Sequence, residues 1–256
     1  MILKKTMHLL MKMRDEDPDF VYSFQLDEDC KLTSLMWSSG YSRRMYSHFG
    51  DVVTFDTTYR TNIYNMPFGM FVGVNNHFQS VIFAGVLLTS EETASFAWAF
   101  EAFVEMMGGK APVTMLTDQC VAMGVAIGQV LTETVHRWCK WHVLKKLVEV
   151  LGHLFSNEEF QDEFNKVVNH TVSIQEFEAS WKQLEDNYGL VGHPEMKRAY
   201  KGRSMWAKPW FLNDFCARMT STQRSESANN VLKRFVPRNS PLNLFVQQYT
   251  KLVSEQ

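Results

Sequence analysis

Residues 1–14 place Leu and Met at helical spacing among Lys4, Lys5 and Lys12, and Asp15-Glu-Asp-Pro18 ends that helix, since proline cannot continue it. The period then changes. Phe20 to Leu26 and Lys31 to Trp37 alternate loosely about the polar turn Asp27-Glu-Asp29, which predicts a hairpin. Tyr41, Met45, Tyr46 and Phe49 predict a short helix over 41–49. Val52 to Phe55 is a short apolar run that reads as a buried strand ending in Asp56. Phe68 to Val74 and Ser80 to Leu88, joined by Asn75-Asn-His-Phe-Gln79, predict two antiparallel core strands. Glu91 to Met107 is amphipathic, with Phe96, Phe100 and Phe103 on one stripe, and Gly108-Gly109 stops it. A strand over 113–116, a helix over 121–131, a strand over 134–138 and a helix over 141–155 follow. Beyond about residue 156 the pattern is helical, and Trp181, Trp206 and Trp210 supply its bulk. Ser or Thr residues ahead of Glu226 read as the cap of one late helix, and Ser240-Pro-Leu opens another. A mixed sheet with helices on its faces, an α/β fold, is the economical packing of this order.

Composition adds three things. With 45% hydrophobic and 13% aromatic residues among 256, a sizeable core is available. The net charge is −2, yet Met196 to Arg238 carries ten Lys and Arg against Asp214 and Glu226. One basic segment on an otherwise acidic chain is either a polyanion-facing surface or a solvated helical face. Cys30, Cys120, Cys139 and Cys216 form no C-x-x-C pair, which argues against a disulfide framework and fits a reducing compartment. No stretch has the pattern of a signal peptide or the length of a membrane span, so no membrane partner is expected. Gly108-Gly-Lys110 lacks the remaining spacing of a phosphate loop. Both ends of the chain look helical without stop signals, so a piece of a longer protein is expected.

The chemistry begins with Asp56. A carboxylate at the tip of a buried strand is costly unless paired. Its partner is a metal ion or a cation, or it starts a turn satisfied by Thr57 and Thr58. Asp118 stands just past another strand, and Glu226 sits on a helix after the long helical stretch. Strand-end acids that meet across a cleft can hold two divalent cations, which activate a nucleophile and stabilise the leaving oxygen of a phosphodiester. Magnesium suits that use.

Asp56-Thr-Thr-Tyr-Arg-Thr-Asn62, Met66-Pro-Phe68, Val72-Gly-Val-Asn-Asn-His77, Thr117-Asp118, His136-Arg-Trp-Cys139-Lys-Trp-His142 and Ser221-Thr-Gln-Arg-Ser-Glu-Ser227, in this order, resemble the Mutator-like element transposase domain. More closely, they look like the plant far-red-impaired-response-related proteins, which are domesticated transposases. The resemblance runs from about Phe20 to Tyr249. It implies a ribonuclease-H-like mixed sheet flanked by helices, with an all-helical insertion before the last catalytic helix. On that reading, residues 1–50 lead into the core, 51–155 form it, 156–219 are the insertion and 220–256 complete the core. It implies a D-D-E triad of Asp56, Asp118 and Glu226, with Mg2+ or Mn2+ as the ion if the chain is catalytic. Cys139 and His142 match the family's Cys-x-x-His pair, which is structural or metal-binding; two ligands alone do not make a zinc site. Arg224 either reaches a phosphate or sits exposed at a helix start. His77 and His136 read as hydrogen-bonded structural histidines. Relatives carry a zinc-binding DNA-recognition module before this domain and a small zinc finger after it. Zinc is therefore expected only in such flanking modules. Where the family tends to have Phe-Trp-Ala-Asp, this chain has Met36-Trp37-Ser38-Ser39. The implied setting is nuclear, with DNA and a dimer with itself or with related proteins as partners and no small-molecule substrate. Three functions stand open: a domesticated regulator of transcription without obligatory catalysis, which is the preferred reading, an active transposase that cuts and rejoins DNA with two metal ions, and an interaction scaffold whose acidic cleft is vestigial.

Overall fold

The computed structural model describes residues 2–58, 62–236 and 240–254. Tyr59, Arg60 and Thr61 of the motif that starts at Asp56, and Pro237 and Arg238 of the basic segment, lie outside the described residues. The chain divides into two compact units, one of Met1–His136 with Thr222–Gln256, the other of Arg137–Ser221.

In chain order the first unit opens with α1 (Ile2–Glu16), β1 (Val21–Leu26), β2 (Leu32–Ser38) and α2 (Gly40–Phe49). Next come β3 (Val52–Thr58), β4 (Phe68–Val74), β5 (Ser80–Leu87), α3 (Thr93–Met106), β6 (Thr114–Thr117), α4 (Val121–Val130) and β7 (Val135–Trp138). The boundary between units falls inside β7, after His136. The second unit holds α5 (Lys140–Val150), α6 (Glu158–Asn165), α7 (Ile174–Asn187), α8 (Pro194–Lys201) and α9 (Arg203–Trp206). The chain then returns to the first unit with α10 (Gln223–Phe235) and α11 (Leu242–Ser254).

The strands form one seven-stranded sheet in the order β1-β2-β5-β4-β3-β6-β7. β1 through β3 in that order pair antiparallel, and β3 pairs parallel with β6. This mixed sheet flanked by helices is the α/β, ribonuclease-H-like arrangement implied by the motifs. The hairpin of β1 and β2 is part of the sheet, because β2 pairs with β5 through Leu35↔Leu87 and Trp37↔Gly85.

Alternation along β3 to β5 sends side chains to two apolar layers. On one face Phe55, Phe71 and Phe83 pack with Phe96, Phe100 and Phe103 of α3 and Tyr46 of α2. The Phe71 and Phe103 rings stack at 3.9 Å and 5°. Glycine makes this layer possible: a Cβ on Gly69 would lie 2.7 Å from the Phe55 ring, so the ring crosses β4 only where no side chain stands. On the other face Trp37, Phe68, Met70 and Val72 pack with Leu232 of α10 and Phe245 and Tyr249 of α11. Each fully buried aromatic side chain contributes about 1.5–3 kcal/mol.

The second unit has its own core, in which Phe160, Phe177, Trp181 and Trp206 pack with Val143 and Leu147 of α5. The predicted helix over 141–155 is shorter than its sequence suggests. α5 ends at Val150, Leu151 takes the C-cap position, and Leu154–Ser156 form a separate 3-10 turn past Gly152. No helix among the described residues is long and apolar enough to cross a membrane.

Candidate functional site

Asp56 lies within β3 rather than at its tip, paired with Met70 of β4, and β3 continues to Thr58. Its face follows from alternation. Thr54, two residues earlier, contacts Ser225 of α10, so Thr54, Asp56 and Thr58 point to the α10 side of the sheet. Thr57 points the other way, and its hydroxyl donates to Glu91 Oε1 at 2.5 Å. The Thr57 proton is thus committed to Glu91, not to Asp56.

β3 and β6 run parallel, with Val52 opposite Thr114, Val53 opposite Met115 and Thr54 opposite Leu116. The pairing stops there, two residues before Asp56 and Asp118, so both acids lie toward the same end of the two parallel strands. β6 ends at Thr117, and Asp118 turns the chain toward α4: its Oδ1 accepts the Cys120 amide at 2.9 Å. One oxygen of Asp118 therefore serves the helix entry, an Asx turn in place of a capping side chain on Cys120.

Behind Asp118 lies a relay. The Thr117 hydroxyl donates to the Asp118 carbonyl at 2.8 Å and lies 2.8 Å from His136 Nε2. A hydroxyl has one proton, so with that proton on the Asp118 carbonyl the contact to His136 is completed by an Nε2–H on the ring. Burial pushes the His136 pKa down to about 4, so the ring is neutral near pH 7. This is the structural histidine that the sequence suggested. His77 is exposed on the β4–β5 connection.

Glu226 stands in the first turn of α10, where a carboxylate favours the positive end of the helix dipole. Ser225 beside it is fully buried, and its Oγ lies 2.5 Å from Thr54 Oγ1 and 3.3 Å from the Thr54 carbonyl oxygen. This contact docks the first turn of α10 on the strand of Asp56. The predicted cap works differently from expectation. Thr222 occupies the N-cap position without capping a backbone amide, and its hydroxyl donates to Glu226 Oε1 at 3.4 Å. Arg224 anchors the same turn to the β4–β5 connection, donating to the Phe78 carbonyl at 2.8 Å and meeting Ser80 Oγ at 3.2 Å. Its visible role is that anchor.

Asp56, Asp118 and Glu226 are all half-buried oxygen donors, a set that suits magnesium or manganese. Among the described residues, however, no group of three or more His, Cys, Asp or Glu side chains stands ready to hold a metal ion. Cys139 and His142 belong to the second unit, Cys139 fully buried at the N-cap of α5 and His142 half-buried with its ring edge against Trp141.

Sequence reasoning missed Ser225, Glu91 and Asn229. Asn229 lies on α10 one turn past Ser225 and is 3% exposed, and neither polar atom of its amide has a hydrogen-bond partner. Four-residue spacing from Ser225 to Asn229 on an otherwise apolar stripe was the available signal.

Comparison with known proteins follows the same lines. Residues 52–146 match the MULE transposase domain. The chain is 36% identical over 248 residues to Protein FAR1-RELATED SEQUENCE 5 of Arabidopsis thaliana, covering 96% of this chain and 32% of that protein. It is 35% identical over 251 residues to Protein FAR1-RELATED SEQUENCE 11, covering 96% of this chain and 36% of the relative. It is 34% identical over 240 residues to Protein FAR-RED IMPAIRED RESPONSE 1, covering 93% and 29% respectively, both from the same plant. The similarity to these plant proteins therefore runs over nearly the whole chain, which spans about a third of the length of the curated relatives it matches.

Proposed function

We propose that this chain is the DNA-associated core of a nuclear, transposase-derived regulator, and that Asp56, Asp118 and Glu226 are a retained divalent-metal triad. The observation that carries the reading is the contact of Ser225 with Thr54, which docks the helix of Glu226 on the strand of Asp56; the parallel pairing of β3 with β6, whose last residue precedes Asp118, supports it. Asp56 and Asp118 would hold the ion from the sheet and Glu226 from the helix. A bound magnesium or manganese ion would supply Lewis-acid stabilisation of a phosphodiester oxygen. The chain's own part is positional. Thr222 orients Glu226, the Thr117–His136 relay holds the backbone of Asp118, and Arg224 fixes the first turn of α10. Closure of the triad requires the Asp118 carboxylate to share itself between the Cys120 amide and the ion.

A second reading, an active transposase, rests on the same three acids. The two separate in one experiment. Mn2+ binding is followed by electron paramagnetic resonance in the wild type and in Asp56→Asn, Asp118→Asn and Glu226→Gln. Binding and cleavage of duplex DNA carrying terminal inverted repeats are measured alongside. Metal binding lost in each variant, with DNA bound but uncut, supports the regulator. Metal-dependent cutting lost in the variants supports the transposase. Mn2+ affinity equal in all four proteins overturns the triad, and failure of the wild type to bind DNA at low salt overturns the DNA-associated core.

A further inference from the structure

The second unit gathers positive charge in one place. Arg137, at the end of β7, is 5% exposed, its guanidinium carbon 3.9 Å from the centre of the Phe211 ring. One terminal nitrogen donates to Cys216 Sγ at 2.9 Å, while its Nε is buried with no hydrogen-bond partner. Lys140, in the first turn of α5, donates from Nζ to the Val168 carbonyl at 2.6 Å and to Asn169 Oδ1. Lys208 donates from Nζ to the Asn169 carbonyl at 3.2 Å. Asn169 thereby holds two ammonium groups, one through its side chain and one through its backbone.

The cluster is under-compensated. Among the described residues, neither Arg137, Lys140 nor Lys208 forms an ion pair with a carboxylate. The repulsion registers on Lys140, whose pKa falls to about 8 through burial first, then through Arg137 and Lys208. Donors are also left over. An ammonium has three N–H groups and a guanidinium five; Lys140 spends two, Lys208 one and Arg137 one on the partners named. The start of α5 adds its dipole, and Cys139 at its N-cap makes no side-chain cap. Like charges packed together with spare donors and a buried unpartnered guanidinium N–H describe a site for an oxyanion.

We propose that Arg137, Lys140 and Lys208 form a binding site for one backbone phosphate of bound DNA. The inference rests on the DNA-associated reading above and extends it by naming a contact outside the acidic triad. The carbonyls of Val168 and Asn169, in the π-helical turn Lys166–His170, aim the two ammonium groups, and a phosphate oxygen takes the place of the missing carboxylate.

The test uses the whole chain and a short duplex. Binding is measured across a salt series for the wild type, Lys140→Met and Lys208→Gln. Lysine acylation is mapped by mass spectrometry with and without the duplex. The expected results are weaker binding to any sequence, a salt slope smaller by about one for each variant, and protection of Lys140 and Lys208 by DNA. Inorganic phosphate at high concentration gives the same protection. DNA binding by the wild type with unchanged slopes and unprotected lysines overturns this site and leaves the DNA-associated reading standing. Absence of DNA binding by the wild type removes both.

Discussion

The hydroxyl pair that seats Glu226 on the sheet is open to direct measurement. In Ser225→Ala the contacts of Ser225 Oγ with Thr54 Oγ1 at 2.5 Å and with the Thr54 carbonyl at 3.3 Å are lost. The site is fully buried, so water does not replace them. Thr54 is not orphaned, because its Oγ1 also reaches the Val72 carbonyl at 3.2 Å. The cost is therefore that of one buried hydrogen bond with its partner still satisfied, about 1 kcal/mol, and not the 1–3 kcal/mol of a stranded polar group. Thr54→Val removes the same pair from the other side, so a double-mutant cycle should return a coupling of about 1 kcal/mol. Urea unfolding followed by circular dichroism supplies the free energies. Mn2+ affinity should fall more in Ser225→Ala than the stability change alone predicts, since Glu226 is the next residue. Zero coupling between Thr54 and Ser225, or a single-variant loss above about 3 kcal/mol, would refute the assignment of this pair as the dock.

Three further outcomes follow from the same geometry. His136 has a folded pKa of about 4 against 6.5 ordinarily, so its contribution is complete above pH 6.5 and is lost as pH falls from there toward 4, by about 3 kcal/mol. Urea midpoints at pH 7.5 and 4.5 should therefore diverge less in His136→Gln than in the wild type; parallel losses refute this. Gly73→Ala should destabilise by about 1–3 kcal/mol, because the new Cβ would stand 2.4 Å from the Phe83 ring and 3.1 Å from the Val52 carbonyl, and thermal unfolding reads the loss. Asn229→Leu should raise stability by about 1 kcal/mol, since it removes a buried amide with two unpartnered atoms, while any fall in DNA or metal affinity would mark a functional use of that amide.

The strands were legible because Val52 to Phe55, Phe68 to Val74 and Ser80 to Leu87 are apolar runs covered on both faces. Their neighbours were not, since pairing between distant strands leaves no periodic trace. The addition of the β1–β2 hairpin to β5 through Trp37↔Gly85 depends on a glycine that admits the Trp37 and Tyr249 rings. Helix ends also escaped the pattern. Leu151 and Leu154 continue the apolar spacing of α5, yet the chain leaves the helix at Gly152, where glycine weakens it. In the candidate site, Asp56 within β3 and Asp118 just past β6 are singled out by position, whereas Glu226 is singled out by the Ser-Thr-Gln-Arg-Ser-Glu-Ser motif. The Asx turn of Asp118 was hidden, because nothing in Thr117-Asp118 tells a helix lead-in from a ligand.

The order of the elements also sets an order of assembly. α10 and α11, which cover Trp37, Phe68 and Met70, are made after the whole of Arg137–Ser221. During synthesis the α3 side of the sheet can close early, while the other side, to whose core α1 brings Leu10, stays incompletely covered until α10 and α11 emerge. Such long-range closure is slow and leaves sticky intermediates open to aggregation. Truncation just before Thr222 would strand that half-built sheet permanently, so the acid of α10 and the burial of the sheet arrive in a single final step.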